Sequence, residues 1–136
     1  DVGGGTGRVA RRLASTGVTV LVVDPSPAML AVARERRLHA VRALAESLPL
    51  PDGCADRVLA LDALHHFANQ HWATGEMLRI LKPGGLLLLQ EPDLGRPGVR
   101  LLAMAEKLLG MQSRFLAPDA ILALPPVAGS ELVAEV

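Results

Sequence analysis

Asp1-Val-Gly-Gly-Gly-Thr-Gly7 sets glycine at every second position behind an aspartate. Gly3, Gly5 and Gly7 let a backbone turn tightly and let a ligand approach without a Cβ in the way. If a helix follows, its first N–H groups lack partners inside the helix and are free to meet a ligand. Asp24 is the next isolated carboxylate. It can accept hydrogen bonds from the neighbouring hydroxyls of a ribose, or it can help cap a helix that starts beside Ser26. Asp62-Ala-Leu-His-His66 supplies an acid and two imidazoles. An imidazole takes up or releases a proton near neutral pH, so His65 or His66 can act as a general base. The competing reading has one of them packed or capping and the other exposed. Asp62, His65, His66 and His71 have the side chains of metal ligands, but their spacing fixes no geometry, and no metal is expected.

The surrounding elements must place these groups. Val9, Ala10, Leu13 and Ala14 recur at helix-face spacing, which predicts a helix over 8–15 directly after the glycine loop. Gly17 can end it. Val18 to Val23 is almost wholly β-branched and apolar, as in a strand buried on both faces of a parallel sheet. Ser26 and Pro27 then read as the N-cap and first residue of a helix running to about Arg37. Residues 40–43 form a weak third strand, and Leu48-Pro-Leu-Pro-Asp-Gly53 is a loop. A strand is predicted over 57–61 and a helix over 70–81, the helix stopped by Lys82-Pro-Gly-Gly85. Residues 86–90 follow as a strand ended at Glu91-Pro92. Helices are predicted over 99–111 and 118–124, and a last strand over 131–136.

Strands alternating with helices imply βαβ units and a mainly parallel, doubly wound α/β sheet of Rossmann-like type. Ligands of such sheets sit at the carboxyl ends of the strands. Asp1–Gly7, Asp24 and Asp62–His66 all fall at such ends, and that agreement outweighs any single motif.

Composition narrows the function. The chain has 136 residues, enough for one domain with a core, and half of them are hydrophobic. Lys plus Arg and Asp plus Glu stand at 14 each, so no global field attracts nucleic acid or an anionic membrane. The basic runs Arg8, Arg11, Arg12 and Arg34, Arg36, Arg37 read as solvated helix faces. There is no Tyr, one Trp and two Phe, which argues against a pocket of stacked aromatics. Cys54 is the only cysteine, so an intrachain disulfide is excluded and a cytoplasmic setting is expected. No apolar run approaches the roughly 20 residues of a membrane span.

The glycine loop and Asp24 alone leave the nucleotide open. Gly5-Thr-Gly7-Arg-Val-Ala10 also satisfies the G-x-G-x-x-G/A fingerprint of dinucleotide-binding enzymes. The later segments separate the cases. Asp1-x-Gly3-x-Gly5-x-Gly7 followed by Val22-Val-Asp-Pro-Ser-Pro-Ala-Met-Leu30 resembles motifs I and II of class I S-adenosylmethionine (SAM)-dependent methyltransferases. More narrowly, it resembles the type 11, or ubiquinone/menaquinone-methyltransferase-like, branch. Ala45-Glu-Ser-Leu-Pro-Leu-Pro-Asp52 with Ala55-Asp-Arg-Val58, then Ala63-Leu-His-His-Phe67, then Leu81-Lys-Pro-Gly-Gly85 before 86–92, are similar to that branch in the same order. The resemblance is strongest over 1–92 and weak from Asp93 onward.

The resemblance implies a class I methyltransferase fold with SAM as cofactor. It implies that Asp1 and the loop of Gly3, Gly4, Gly5 and Gly7 hold the methionine end, and that Asp24 binds the ribose hydroxyls. Pro25 and Met29 would flank the adenine, the backbone of Ala45 and Glu46 would face its edge, and backbone near Leu61 and Asp62 would lie by the methionine amino group. One position departs from the pattern: Leu44 stands where the branch usually has an aspartate that reads the adenine amino group. Losing that acceptor costs about 1 kcal/mol, unless Glu46 substitutes.

The expected activity is methyl transfer to a small-molecule acceptor by in-line displacement. The sulfonium already activates the methyl group, so the protein's task is to align the acceptor and exclude water. Two rivals stand beside it: an NAD(P)-dependent oxidoreductase, and a methyltransferase-like interaction domain without catalysis. The Leu81–Gly85 turn, the Leu-Pro-Leu-Pro-Asp loop and the lack of Tyr argue against the first, while Leu44 favours the second. The strand ending at Asp1 is expected to lie between those at 18–23 and 57–61. The natural protein is therefore expected to extend in both directions.

Overall fold

A computed structural model of the chain describes residues 1–93, 96–108, 113–115, 120, 121 and 124. Val22 and Val23 show how it is layered. Consecutive strand residues point to opposite faces, and both valines are buried in β1 (Leu21–Asp24). Val22 clusters with Ala10 of α1 (Arg8–Ala14), with Leu30 and Ala33 of α2 (Pro27–Glu35), and with Leu38. Val23 belongs to a second cluster with Val2, Val58 and Ala60, and with Ala73 and Met77 of α3 (Gln70–Arg79). Helices thus cover both faces of β1, as expected for a strand of a parallel sheet.

β1 pairs in parallel with β2 (His39–Arg42), from Leu21 opposite His39 to Asp24 opposite Arg42. β3 (Ala55–Leu61) pairs in parallel with β4 (Leu81–Gln90), from Arg57 opposite Leu86 to Leu61 opposite Gln90. Residues 1–3 lie between the two pairs. Val2 N–H donates to the Leu59 carbonyl at 2.8 Å, Val23 N–H donates to the Asp1 carbonyl at 2.9 Å, and Gly3 N–H donates to the Val23 carbonyl at 2.8 Å. The order is therefore β2, β1, the segment at Val2, β3, β4. The chain winds outward to one side through β1 and β2, then crosses to β3 and β4. The winding reverses beside residues 1–3, the place where such sheets hold ligands.

Several boundaries differ from expectation. The strand predicted over 18–23 is shorter, because Val18 is 54% exposed and has no core to face. The helix expected to reach Leu81 stops at Arg79, and Lys82-Pro-Gly-Gly85 is not a simple stop between two elements. Ala55 is already opposite Leu81, and Arg57 is opposite Leu86, so the residues between bulge out of the ladder. Gly84 has φ 74°, which a residue with a Cβ adopts only at a cost. α4 spans Pro97–Leu108, two residues earlier than predicted at its start. Ala120 and Ile121 are helical; the rest of the predicted 118–124 helix, apart from Leu124, lies outside the described residues, as does the predicted strand over 131–136. Leu86 and Leu88, on the face of β4 away from α3, are 56% and 47% exposed.

The proline-bearing loop after Ala45 is held by one arginine. Arg79 donates to the Leu48 and Leu50 carbonyls and pairs with Asp52 at 2.6 Å and Glu76 at 2.7 Å. Glu76 Oε2 in turn accepts from Leu48 N–H at 2.9 Å. The Arg79 hydrogen bond, helped by the Leu48 N–H and opposed by partial burial, holds the Glu76 carboxyl below its ordinary pKa. A carboxyl depressed by folding stabilises the native state above its unfolded pKa, and that contribution is lost as pH falls through the lower folded value. Urea unfolding should therefore show stability declining as the pH falls below about 4.5. Glu76→Gln should flatten part of that decline and cost roughly 1–2 kcal/mol at neutral pH. Parallel pH profiles for the two proteins would contradict this role.

Candidate functional site

The glycine loop ends at Gly7, which serves as N-cap of α1 in a left-handed conformation (φ 71°) and offers no side-chain cap. Any side chain there would run into Leu38 and crowd Val22, so Gly7 is a packing requirement between α1 and the sheet. Gly5 differs. It has φ 55°, and a Cβ built on it would meet nothing within 4 Å. Its space is open, as needed where a ligand passes close to the backbone. A Cβ at Gly4 would meet the Asp1 carboxylate at 2.7 Å, so Asp1 folds back over its own loop. A Cβ at Gly3 would meet the Ala63 Cβ at 2.6 Å. The loop thus rests on the segment that carries the histidines.

Asp24 ends β1 with its carboxylate buried. Oδ2 accepts from Gly5 N–H at 2.9 Å, and Oδ1 accepts from Ser26 N–H at 2.8 Å. Ser26 Oγ caps α2 by accepting from Met29 N–H. The helix-start reading of Asp24 is the one these contacts bear on. Asp24 organises the start of α2, and it fastens the glycine loop to the end of β1. A carboxylate offers about four acceptor positions, so two remain for a pair of hydroxyls.

The adenine-side candidates follow in order. Pro25 is exposed and its carbonyl accepts from Arg42 Nε at 3.1 Å; Met29 is 45% exposed. Ala43 N–H donates to the Asp24 carbonyl, which brings the 43–46 segment beside Asp24. Ala45 is buried and Leu44 is 59% exposed. Glu46 Oε1 accepts from the N–H of Asn69, the N-cap of α3, at 3.0 Å. That bond ties one oxygen of Glu46 to α3 and so opposes its use as a replacement for the missing aspartate.

Leu61 is half-buried, and Asp62 is exposed with φ 51°. A non-glycine residue at positive φ is uncommon, though Asp tolerates it better than most. Asp62 N–H donates to the Gln90 carbonyl at 2.8 Å, and the chain then makes a single 3₁₀ turn, Leu64–His66. The two histidines divide. His65 is 4% exposed; its Nδ1 meets Glu91 Oε2 at 2.6 Å and its ring stacks on Phe115 with centroids 4.3 Å apart. His66 is exposed, with Nδ1 3.3 Å from Ser113 Oγ. His71 lies exposed on α3. Among the described residues no three His, Cys, Asp or Glu side chains are grouped to share a metal ion.

Glu91 is the member that sequence reasoning passed over. Its side chain is 4% exposed; Oε1 accepts from Ala63 and Leu64 N–H at 3.0 and 2.8 Å, and Oε2 faces His65 N–H and Nδ1. One carboxylate from the end of β4 thus satisfies the first N–H groups of the histidine turn. The available signal was positional: Glu91 stands at a strand end, as Asp24 and Asp62 do.

A parallel sheet that reverses its winding beside a glycine loop, with an acidic residue closing the next strand, is a layout that class I methyltransferases share with dinucleotide-binding enzymes. A SAM-dependent methyltransferase from Thermotoga maritima superposes with a TM-score of 0.80 at 30% identity, over 90% of this chain and 58% of that one. The chain belongs to the methyltransferase domain family, whose model matches residues 1–89. An uncharacterized methyltransferase of Mycobacterium tuberculosis is 42% identical over 89 residues, covering 64% of this chain and 36% of that protein. The ubiquinone/menaquinone biosynthesis C-methyltransferase UbiE of Ectopseudomonas mendocina is 41% identical over 115 residues, covering 76% and 44%. The chain therefore spans less than half the length of these curated relatives.

The double role of Asp24 has a consequence for stability. In Asp24→Asn, one oxygen becomes an NH₂ group that must face a backbone N–H, either at Gly5 or at Ser26. Without any cofactor present, urea unfolding should show a loss of roughly 1–3 kcal/mol, the cost of an unsatisfied, part-buried donor. Unchanged stability would mean that the carboxylate does not hold the loop.

Proposed function

We propose that this chain forms the SAM-binding domain of a methyltransferase acting on a small-molecule acceptor. The observation that carries the reading is the Gly5–Asp24–Ser26 arrangement at the reversal of the sheet. It combines an open glycine backbone, a buried carboxylate with acceptor positions left over, and family membership. These residues fit the cofactor. Asp1 and the backbone of Gly3, Gly4, Gly5 and Gly7 hold the methionine end; Asp24 accepts from the ribose hydroxyls. Pro25 and Met29 flank the adenine, Ala45 and Glu46 present backbone to its edge, and Leu61 and Asp62 lie by the amino group. When bound, SAM supplies a methyl group activated by a sulfonium charge.

The remaining work falls to the protein. It must fix the acceptor in line and keep water out. His66 is the solvent-exposed member of the histidine pair and is the group that takes a proton from an acceptor arriving protonated. His65 is a positioning residue, since Glu91 and Phe115 lock its ring. Arg114 N–H donates to the His65 carbonyl at 2.7 Å and Gln70 Nε2 donates to the Arg114 carbonyl at 2.6 Å. Residues 113–115 therefore lie against the histidine turn, which supports their use on the acceptor side. A small-molecule acceptor agrees with the quinone-pathway name of the Ectopseudomonas mendocina relative.

Two measurements test this. Adding S-adenosylhomocysteine should slow amide hydrogen exchange at residues 3–7 and 61–64 while leaving α4 unchanged; uniform or absent protection would refute the placement. In the protein assayed with an accepted substrate, His66→Gln should lower turnover about 10²-fold or more, within the range of general-base catalysis, and remove the acidic limb of the pH–rate profile. Full activity in that variant would leave positioning as the only catalytic device.

A further inference from the structure

One arginine of the second basic run meets the first basic run in the structure. Arg8, Arg11, Arg12 and Ser15 at α1 join Arg36, just beyond α2, around a shallow groove of about 340 Å³. Among the described residues no carboxylate lines it. The ion pairs of the described residues use His65, Arg79, Lys82 and Arg96, and Arg8, Arg11, Arg12 and Arg36 take no part in them. The overall charge balance is even, so this concentration of one sign is local rather than a by-product of a basic protein.

Helix stability does not account for it. Arg11 and Arg12 sit in the last turn of α1, where a cation complements the helix dipole. Arg8 occupies the first helical position, at the positive end, where a cation is disfavoured. Arg36 is held in place: Nη1 donates to the Thr6 carbonyl at 2.8 Å and to Thr6 Oγ1 at 3.0 Å. Its other guanidinium N–H groups make no hydrogen bond among the described residues. Ser15 Oγ donates to the Arg12 carbonyl, which fixes the floor of the groove. Like charges gathered on one face repel one another, and among the described residues no ion pair offsets them.

We propose that this groove binds a compact, multiply charged phosphate compound of the diphosphate type. Planar guanidinium forks match phosphate oxygens in pairs, and a clamped arginine beside three exposed ones suits a ligand with more than one charged centre. The site is separate from Asp24 and does not rest on the methyl-transfer reading. Arg36 nonetheless touches the glycine loop through Thr6.

The probe is inorganic pyrophosphate, titrated calorimetrically into the full chain at low ionic strength. Saturable binding of one equivalent is expected. The double variant Arg8→Gln/Arg12→Gln should weaken it by about tenfold or more, the loss of charge-assisted hydrogen bonds. Arg34→Gln/Arg37→Gln, which removes the same charge outside the groove, should stay within about twofold. Unfolding midpoints confirm that both variants fold, as expected for exposed arginines. Equal weakening in the two variants, or no saturation, would overturn the site in favour of a diffuse basic face. Co-sedimentation with phosphatidylglycerol vesicles without pyrophosphate binding would also overturn it, since the ligand source would then be a lipid surface.

Discussion

Among the described residues the sheet is continuous only through the backbone of Asp1 to Gly3. β1 with β2 and β3 with β4 are two separate parallel pairs, and hydrogen bonds from and to residues 1–3 join them. Every other feature of the site depends on that junction. It sets the point where the winding reverses, and it brings the ends of β1 and β3 to either side of the glycine loop. It also lets Val2 pack into the same core as Val23, Val58 and Met77.

From there the site is built by satisfying backbone groups. Gly5 and Ser26 need acceptors for their N–H groups, and the Asp24 carboxylate serves both. Ala63 and Leu64 need the same, and Glu91 serves them while orienting His65. Two buried carboxylates at strand ends thus play parallel structural parts on the two halves of the sheet. Each can take on a chemical part because it retains acceptor capacity or fixes a neighbouring ring. Burial in this setting makes each of them costly to alter, since the groups they satisfy would be left unpaired.

Much of this was legible in the residues. The paired burial of Val22 and Val23 follows from an apolar β-branched run, and the glycine loop, Asp24 and Asp62 were located by their places after strands. What was illegible depended on partners distant in sequence. Val18 looks like strand but lacks a face to pack on, because burial rather than propensity decides β structure. Leu81 looks like the end of a helix but pairs with Ala55, and the residues after it bulge, a matter of register that no local pattern encodes. Glu91 meets His65, and Arg36 joins Arg8, only after folding. The engagement of Glu46 with Asn69 was invisible for the same reason.

The proposed site at the reversal of the sheet is a loop for S-adenosyl compounds with Asp24 toward the ribose. Calorimetric titration of the chain with S-adenosylhomocysteine and, separately, NADH tests it most directly. Expected are stoichiometric binding of S-adenosylhomocysteine, no saturable binding of NADH, and a weakening of about tenfold or more for S-adenosylhomocysteine in Asp24→Ala, as for loss of a charged hydrogen-bond partner. Preferential binding of NADH, or an affinity for S-adenosylhomocysteine unaffected by Asp24→Ala, would contradict it.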